Sequence, residues 1–483
     1  MSRQALVGVL ALTLLGGVLR FATLDLQSFD FDEAITVGPV LGGSFDAMLD
    51  AIPRSESTPP LYYVLAWLWT QAFGVGEVGV RSFSALVGTA LIPVAFGAAR
   101  ELGGRRAGVI AAALVAVNPQ LIFYSQEARA YSLLTLLGTL SFWAFLIARR
   151  DSHARSLILW ALASAAALLT HYFAAFLVAP EAIWLLAVRR PRLPVAIAAG
   201  GVAAVGATLV PLAARQSDGR TDWISDLSLG ERLRGVIKMP FTGEYDPTSN
   251  WQLAVVGIAV VVAMSVALRR ADEHERRAAG VAAGLGALTV AVPLAIDVGA
   301  RDLLVAKNVI LVVPLFAIAL ACVLGVGRAR AIGLATAVLV CATGIAITLA
   351  AMAEPRLRRP DYRAIAATLG QPSRSVGVFT PYQGSEPLAR YLPGATDAAP
   401  DGVALRRLEL VVPLSRSDAD EPERPETPPP PAGFELIGRE DHATFTRVRY
   451  RAPSAVTVTA AGLAPLAPGS ATFPSRLLVW PAG

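Results

Sequence analysis

Charge is what this sequence has least of. Only 16% of its 483 residues are Asp, Glu, Lys or Arg, against about 25% in soluble domains. That deficit, with a hydrophobic share of 54% and a mean hydropathy of +0.53, excludes an ordinary soluble protein. Cysteine is nearly absent too. Cys322 and Cys341 both lie inside apolar runs, which excludes a disulfide framework and leaves two buried thiols. There is no HExxH, no Cys/His cluster and no phosphate-binding P-loop, so none of those motif-borne chemistries has a foothold. No tandem repeat is visible, nor the matched pair of interrupted helices that many transporters use. The pI of about 9.4 rests on arginines in short connections, a pattern of membrane topology rather than of nucleic-acid binding.

What is present is a series of long apolar runs. They cover roughly 5–22, 82–98, 107–123, 131–148, 156–170, 173–188, 194–213, 251–268, 278–296, 308–326 and 331–351. A helical span needs about 20 residues, so these predict about eleven spans. Run 5–22 follows Arg3 without a clear small-x-small cleavage site, which favours an uncleaved first span. Segment 61–73, LYYVLAWLWTQAF, is too short to cross and is rich in Tyr and Trp, so it predicts a juxtamembrane helix. Alternate connections carry Arg100, Arg105 and Arg106; Arg149, Arg150 and Arg155; Arg189, Arg190 and Arg192; Arg269, Arg270, Arg276 and Arg277; and Arg328 and Arg330. The positive-inside bias then places the N-terminus in the cytoplasm and the loops at 24–80 and 214–250 outside. An odd span count leaves the C-terminal region outside as well.

The expected organisation is a mainly α protein. Residues 1–353 form a polytopic transmembrane helical domain, and 354–483 form a small extracytoplasmic α/β domain with a Pro-rich loop at 422–432. In the latter, RPDYRAIAATL reads as a short helix, SVGVFTPYQ and EPLARYL as strand, turn and helix, and LRRLELVVPL, ATFTRVRYRA and AVTVTAA as strands. Loop 214–250 has an amphipathic piece near 227–237, and its Trp223, Phe241 and Trp251 suit a lid on membrane or sugar as well as a plain connector.

Candidate chemistry gathers on the predicted outer face. Asp32-Glu33 lies about ten residues beyond the first span, among Asp25, Asp30, Asp46, Asp50 and Glu56. Adjacent carboxylates raise each other's pKa, which would tune a base to take a proton from a hydroxyl; read alone, the pair is equally a solvated loop or a helix-capping pair. Loop 124–131, YSQEARAY, carries Glu127, Arg129 and Tyr131, as a site element or a structural Glu127–Arg129 pair. Arg301 and Lys307 flank RDLLVAK and suit a phosphate at headgroup level, or snorkelling to lipid. His171-Tyr172 joins two apolar runs at the same face, as site residues or as satisfied interfacial ones. An acid pair, a Glu/Arg pair and a basic pair on one face suit a nucleophilic hydroxyl and an anionic leaving group. No metal or other cofactor is demanded, although the acids around Asp32 and Glu33 leave room for a divalent ion.

FDEAIT (31–36), TPPLYYVLAWLW (58–69), VRSFSALVG (80–88), YSQEARAYSLL (124–134), THYFAAF (170–176), AKNVILVVPL (306–315) and RPDYRAIAATL (359–369) together resemble a GT-C-type membrane glycosyltransferase of the protein mannosyltransferase and aminoarabinose transferase kind. The resemblance spans residues 1 to about 392. It implies an inverting transfer of a sugar from a polyprenyl-phosphate donor to a glycan, lipid or protein acceptor at the outer face of the cytoplasmic membrane. It places the catalytic base on Asp32, with Glu33 in support, and the family's second acidic position near Glu127. Glu127, Arg129, Tyr131, His171, Tyr172, Arg301 and Lys307 become the expected donor-phosphate and substrate residues. Thr58 stands where the family often has a histidine, and Lys307-Asn308 replaces its usual Arg-Tyr. Two other classes also fit a polytopic chain: a lipid-linked-sugar transporter or flippase, and an inactive membrane scaffold. The first expects ionisable groups near the bilayer midplane, whereas the acids here sit at the ends of the apolar runs.

Overall fold

The computed structural model describes residues 3–151, 153–217, 222–244, 250–299, 302–370, 375–414, 424–467 and 475–481. Two compact units emerge. One comprises Met1–Leu24 with Pro39–Leu349, the other Asp25–Gly38 with Ala350–Gly483.

The first unit is helical. Among the described residues, seven helices are long and apolar enough to cross a membrane, and Ala154–Thr170, Tyr172–Val188 and Val312–Leu324 are shorter apolar helices. The chain is a multi-pass membrane protein. The longest helix, Glu77–Val117, is broken at Gly104, whose φ of 77° only glycine adopts at little cost. Each apolar run of the sequence thus falls on helix, although run 194–213 is interrupted at Leu209, between Leu193–Thr208 and Val210–Gln216, and two other runs need adjustment. Run 107–123 is not one helix: Asn118 caps a new one, Pro119–Ser125, by accepting from Leu121 N through its side chain, with Pro119 in the first helical turn. Run 308–326 becomes helical only at Val312, so Lys307 sits in a chain of turns. The helix Leu61–Phe73 has the expected bounds.

Polar side chains tie the helices where lipid offers no partners. Arg20, fully buried at the end of helix Arg3–Phe21, donates to Ser125 Oγ, Ala116 O and Val115 O at 2.9–3.1 Å. That draws the first helix onto Glu77–Val117 and Pro119–Ser125. Between three other helices, buried Glu181 accepts from Ser141 Oγ at 2.6 Å and Trp160 Nε1 at 2.9 Å. Close packing needs small residues at a few points: a Cβ on Gly88 would meet Ser125 Oγ at 2.0 Å.

The second unit holds a six-stranded sheet in the order β2-β6-β1-β3-β5-β4. The strands are β1 Val376–Thr380, β2 Thr396–Asp397, β3 Val403–Pro413, β4 Glu435–Asp441, β5 Phe445–Val458 and β6 Arg476–Trp480. β1 and β3 are parallel, and helix Tyr382–Tyr391 lies in the crossover between them, as parallel pairing requires. Where the alternation suggests two strands, ATFTRVRYRA and AVTVTAA, there is one. Leu405 pairs Val456 while Arg407 pairs Arg451, so the ladder bulges around Pro453, which has no N–H to donate. Helix Tyr362–Leu369 starts as expected, with the Asp361 side chain accepting from Ala364 N at 3.0 Å. Its Tyr362, Ile365 and Leu369 pack with Val378, Leu388, Val411, Phe445 and Trp480 into one core.

Candidate active-site residues

In the second unit, the acidic loop around Asp32 is gripped by the segment just before helix Tyr362–Leu369. Asp30 and Glu33 form a capping box on the five-residue helix Phe31–Ile35. Fully buried Glu33 accepts from Arg359 Nη1 at 2.9 Å, and Arg359 Nε lies 3.3 Å from Asp30 Oδ2. Ser28 Oγ donates to Pro360 O and accepts from Tyr362 N. Phe29 N donates to Tyr391 Oη at 2.8 Å, and Arg363 donates to Asp25 O at 2.7 Å. The two adjacent carboxylates are therefore not equivalent. Glu33 caps a helix and neutralises a buried arginine, whereas Asp32 is half-buried in a backbone held by Asp30 Oδ1 on its N–H and Thr36 Oγ1 on its carbonyl. Arg359 and Tyr362, which sequence reasoning did not assign to a site, turn out to be the clamp. Their only signal was that RPDYR recurs in the resemblance.

In the helical unit, a second cluster forms from residues far apart in the chain. Arg129 Nη1 donates to Glu56 Oε2 at 2.7 Å. Tyr63 donates to the same oxygen at 2.6 Å and lies 2.7 Å from Thr58 Oγ1. Burial, then the Glu56 charge, hold the Tyr63 phenol well above its usual range, so it is a fixed donor. Arg129, read from sequence as a site residue or as half of a structural pair with Glu127, thus pairs with Glu56. Glu127 is buried, and its charge helps to raise the phenol of Tyr124, although burial and Glu244 do more. Tyr124 donates to Glu244 at 2.6 Å and meets Tyr131 edge-on at 4.7 Å between ring centroids.

Tyr131 in turn lies 6.0 Å from the His171 ring. His171 ends helix Ala154–Thr170, and its Nδ1 accepts from Phe173 N. Burial, followed by the positive charges of Arg129 and Lys307, pushes the imidazole down to about 3. It is neutral at any physiological pH. Lys307 Nζ lies 4.9 Å from the centroid of the Trp223 ring. Arg129, Tyr131, His171 and Lys307 are therefore brought together. Tyr172 points elsewhere, donating to Gln216 at 2.6 Å, whose amide donates to Ile52 O and Thr58 O. Arg301 lies outside the described residues. Among the described residues no three His, Cys, Asp or Glu side chains group as a metal site.

The comparisons bear on what this assembly is. Residues 57–213 match the family model of dolichyl-phosphate-mannose-protein mannosyltransferase. The structure resembles ArnT from Cupriavidus metallidurans in its apo state at 12% identity, over 91% of this chain and 97% of that one, with a TM-score of 0.53. The fold is that of the GT-C membrane glycosyltransferases. The resemblance seen in the sequence is borne out at this level. More distant similarity reaches the oligosaccharyltransferase of Archaeoglobus fulgidus, with 12% identity, 75% and 57% of the two chains and a TM-score of 0.43. It also reaches the Saccharomyces cerevisiae O-mannosyltransferase Pmt1-Pmt2, with 17% identity, 43% and 33% of the chains and a TM-score of 0.36. No curated protein matches the sequence. The matched residues 57–213 contain Thr58, Tyr63, Tyr124, Glu127, Arg129, Tyr131 and His171, whereas Glu56, Trp223, Glu244 and Lys307 lie outside them.

Proposed function

We propose that this chain is an inverting glycosyltransferase that moves a sugar from a polyprenyl-phosphate donor to an acceptor hydroxyl at the outer face of the cytoplasmic membrane. The observation that carries this reading is the pairing of Arg129 and Lys307 around a neutral, buried His171, within and beside a stretch matched to enzymes named for dolichyl-phosphate-mannose. Two cations beside an uncharged ring form an anion-binding locus. Glu56 offsets part of the Arg129 charge, and Lys307 adds a compact point charge.

In this reading the cations neutralise the phosphate as it departs, an electrostatic effect already organised before the reaction begins. Arg301 joins them on the sequence reading, and Tyr172 lines the donor side. Asp32 takes the proton of the acceptor hydroxyl as it attacks the anomeric carbon opposite the leaving phosphate, which inverts the configuration. Glu33, engaged by Arg359, positions Asp32 rather than sharing its role. Residues 354–483 form the extracytoplasmic domain, and the acceptor is a glycan, lipid or protein. The test is transfer by the purified protein in lipid bilayers, using a panel of polyprenyl-phosphate sugars with product mass and anomeric configuration as readouts. Inverted product from at least one donor is expected. Retention of configuration, or no transfer from any donor, contradicts the reading.

A further inference from the structure

Lys307 has no helix beneath it, so something else must fix its position. The residues that do so come from the external segment 222–244. Helix Leu229–Thr242 begins with a capping box between Ser228 and Glu231, which orients its first turn. The next residue, Arg232, is buried and places one nitrogen, Nη1, between two carboxylates: Asp297 Oδ2 at 2.7 Å and Asp302 Oδ1 at 2.6 Å. Asp297, with its side chain fully buried, uses its other oxygen to accept from Leu303 N and from Leu304 N. Asn308 Nδ2 donates to Leu303 O at 2.9 Å. The segment from 302 to 308 is thus held at one end by Asp297 and folded back on itself at the other, with Lys307 on the turn between. A carboxylate buried like Asp297 needs a counter-charge, and Arg232 supplies it. Two further contacts from the same segment reach the cluster: the Trp223 ring lies under Lys307, and Glu244 accepts from Tyr124.

We propose that Arg232 is a positioning residue for Lys307: through Asp297 and Asp302 it sets the turn that presents the ammonium to a lipid-borne phosphate. The proposal rests on the reading of Lys307 as a phosphate-binding cation. It gives the external segment a task in donor recognition, exerted through the backbone at 303–304 rather than by contact with donor. A lysine at 232 keeps the charge but carries it on a flexible four-carbon stem instead of a rigid guanidinium, so it restores only part of the arrangement.

The test uses the full chain in lipid bilayers with undecaprenyl phosphate as probe. Arg232→Gln is expected to weaken binding of the probe about tenfold and to raise the donor KM, with kcat lowered as well because the same ammonium neutralises the departing phosphate; Arg232→Lys recovers part of the loss. Because Arg232→Gln strands a buried carboxylate, the double variant Arg232→Gln/Asp297→Asn removes both charges together. It is expected to fold, to bind the probe weakly, and to let an amine-reactive reagent modify Lys307 faster. If that folded double variant binds as tightly as wild type and Lys307 reacts at the wild-type rate, Arg232 does not position it. If the wild-type chain fails to bind undecaprenyl phosphate, the functional reading fails, and the Lys307 reaction rate alone decides the positioning: faster supports it, unchanged overturns it.

Discussion

Arg129 and Glu56 meet at 2.7 Å across 73 residues of sequence, and both are buried. A buried pair of this kind adds little net stability, but losing one member is expensive because the other charge is left without compensation. Glu56→Ala is therefore expected to destabilise the protein by about 3–5 kcal/mol. Glu56→Gln, which keeps two hydrogen-bonding atoms, should cost less. Thermal melting in bilayers or detergent measures both. Equal, near-zero shifts for the two variants would show that the pair is solvated and does not organise the cluster.

Deleting only the Tyr63 hydroxyl probes the same node more gently. Tyr63→Phe removes a donor to Glu56 and the neighbour of Thr58 Oγ1, leaving the carboxylate with Arg129. A loss of about 1–3 kcal/mol is expected for an unsatisfied buried partner, read as a lower melting temperature. A variant as stable as wild type would mean that the 2.6 Å contact has no energetic weight.

His171 carries a pH signature whose sign is fixed by its environment. Its folded pKa lies near 3, below the ordinary 6.5, so the unfolded chain binds more protons over that interval. Stability then falls as pH drops through about 6.5 toward 3. Replacing His171 with Phe should flatten that part of the stability curve, measured as melting temperature between pH 7 and pH 5. The same low value predicts a transfer rate with no inflection from this imidazole between pH 6 and pH 8. A bell-shaped arm near 6.5 that disappears in His171→Phe would show that the ring is solvated and titrates.

Arg359 and Glu33 separate structure from chemistry in the acidic loop. Arg359→Met takes the arginine counter-charge from a fully buried carboxylate, and about 3–5 kcal/mol should be lost. Glu33→Gln, which keeps acceptor and shape, should be milder in melting and reduce transfer only through a looser Asp32. If Glu33→Gln abolishes transfer while melting as wild type, Glu33 rather than Asp32 is the reacting group.

Much of the architecture was legible because it is local. Hydropathy marks the apolar runs, the aromatic stretch 61–73 coincides with helix Leu61–Phe73, and Asp361 announces helix Tyr362–Leu369. The carboxylates split where no local rule reaches. Glu33 finds Arg359 326 positions away, and adjacency in sequence says nothing about which of two neighbours faces inward. Arg129 has Glu127 two residues away, and that proximity gives no hint of its bond to Glu56, 73 residues distant. The division of run 107–123 was readable in Asn118-Pro119, a cap followed by proline, although hydropathy alone runs through it. The strands Glu435–Asp441 and Arg476–Trp480 show why some strands are harder to read. The first is largely exposed, with no apolar alternation, and the second is a bare run of five residues whose pairing with β1 is non-local.

The role of Asp32 is tested most directly by comparing wild type with Asp32→Asn in a transfer assay on a polyprenyl-phosphate sugar, with melting and lipid-phosphate binding followed on the same samples. The expected result is a fall in transfer of about 10²–10⁴-fold with melting and binding unchanged. Transfer at the wild-type rate by the folded Asn variant would contradict the account.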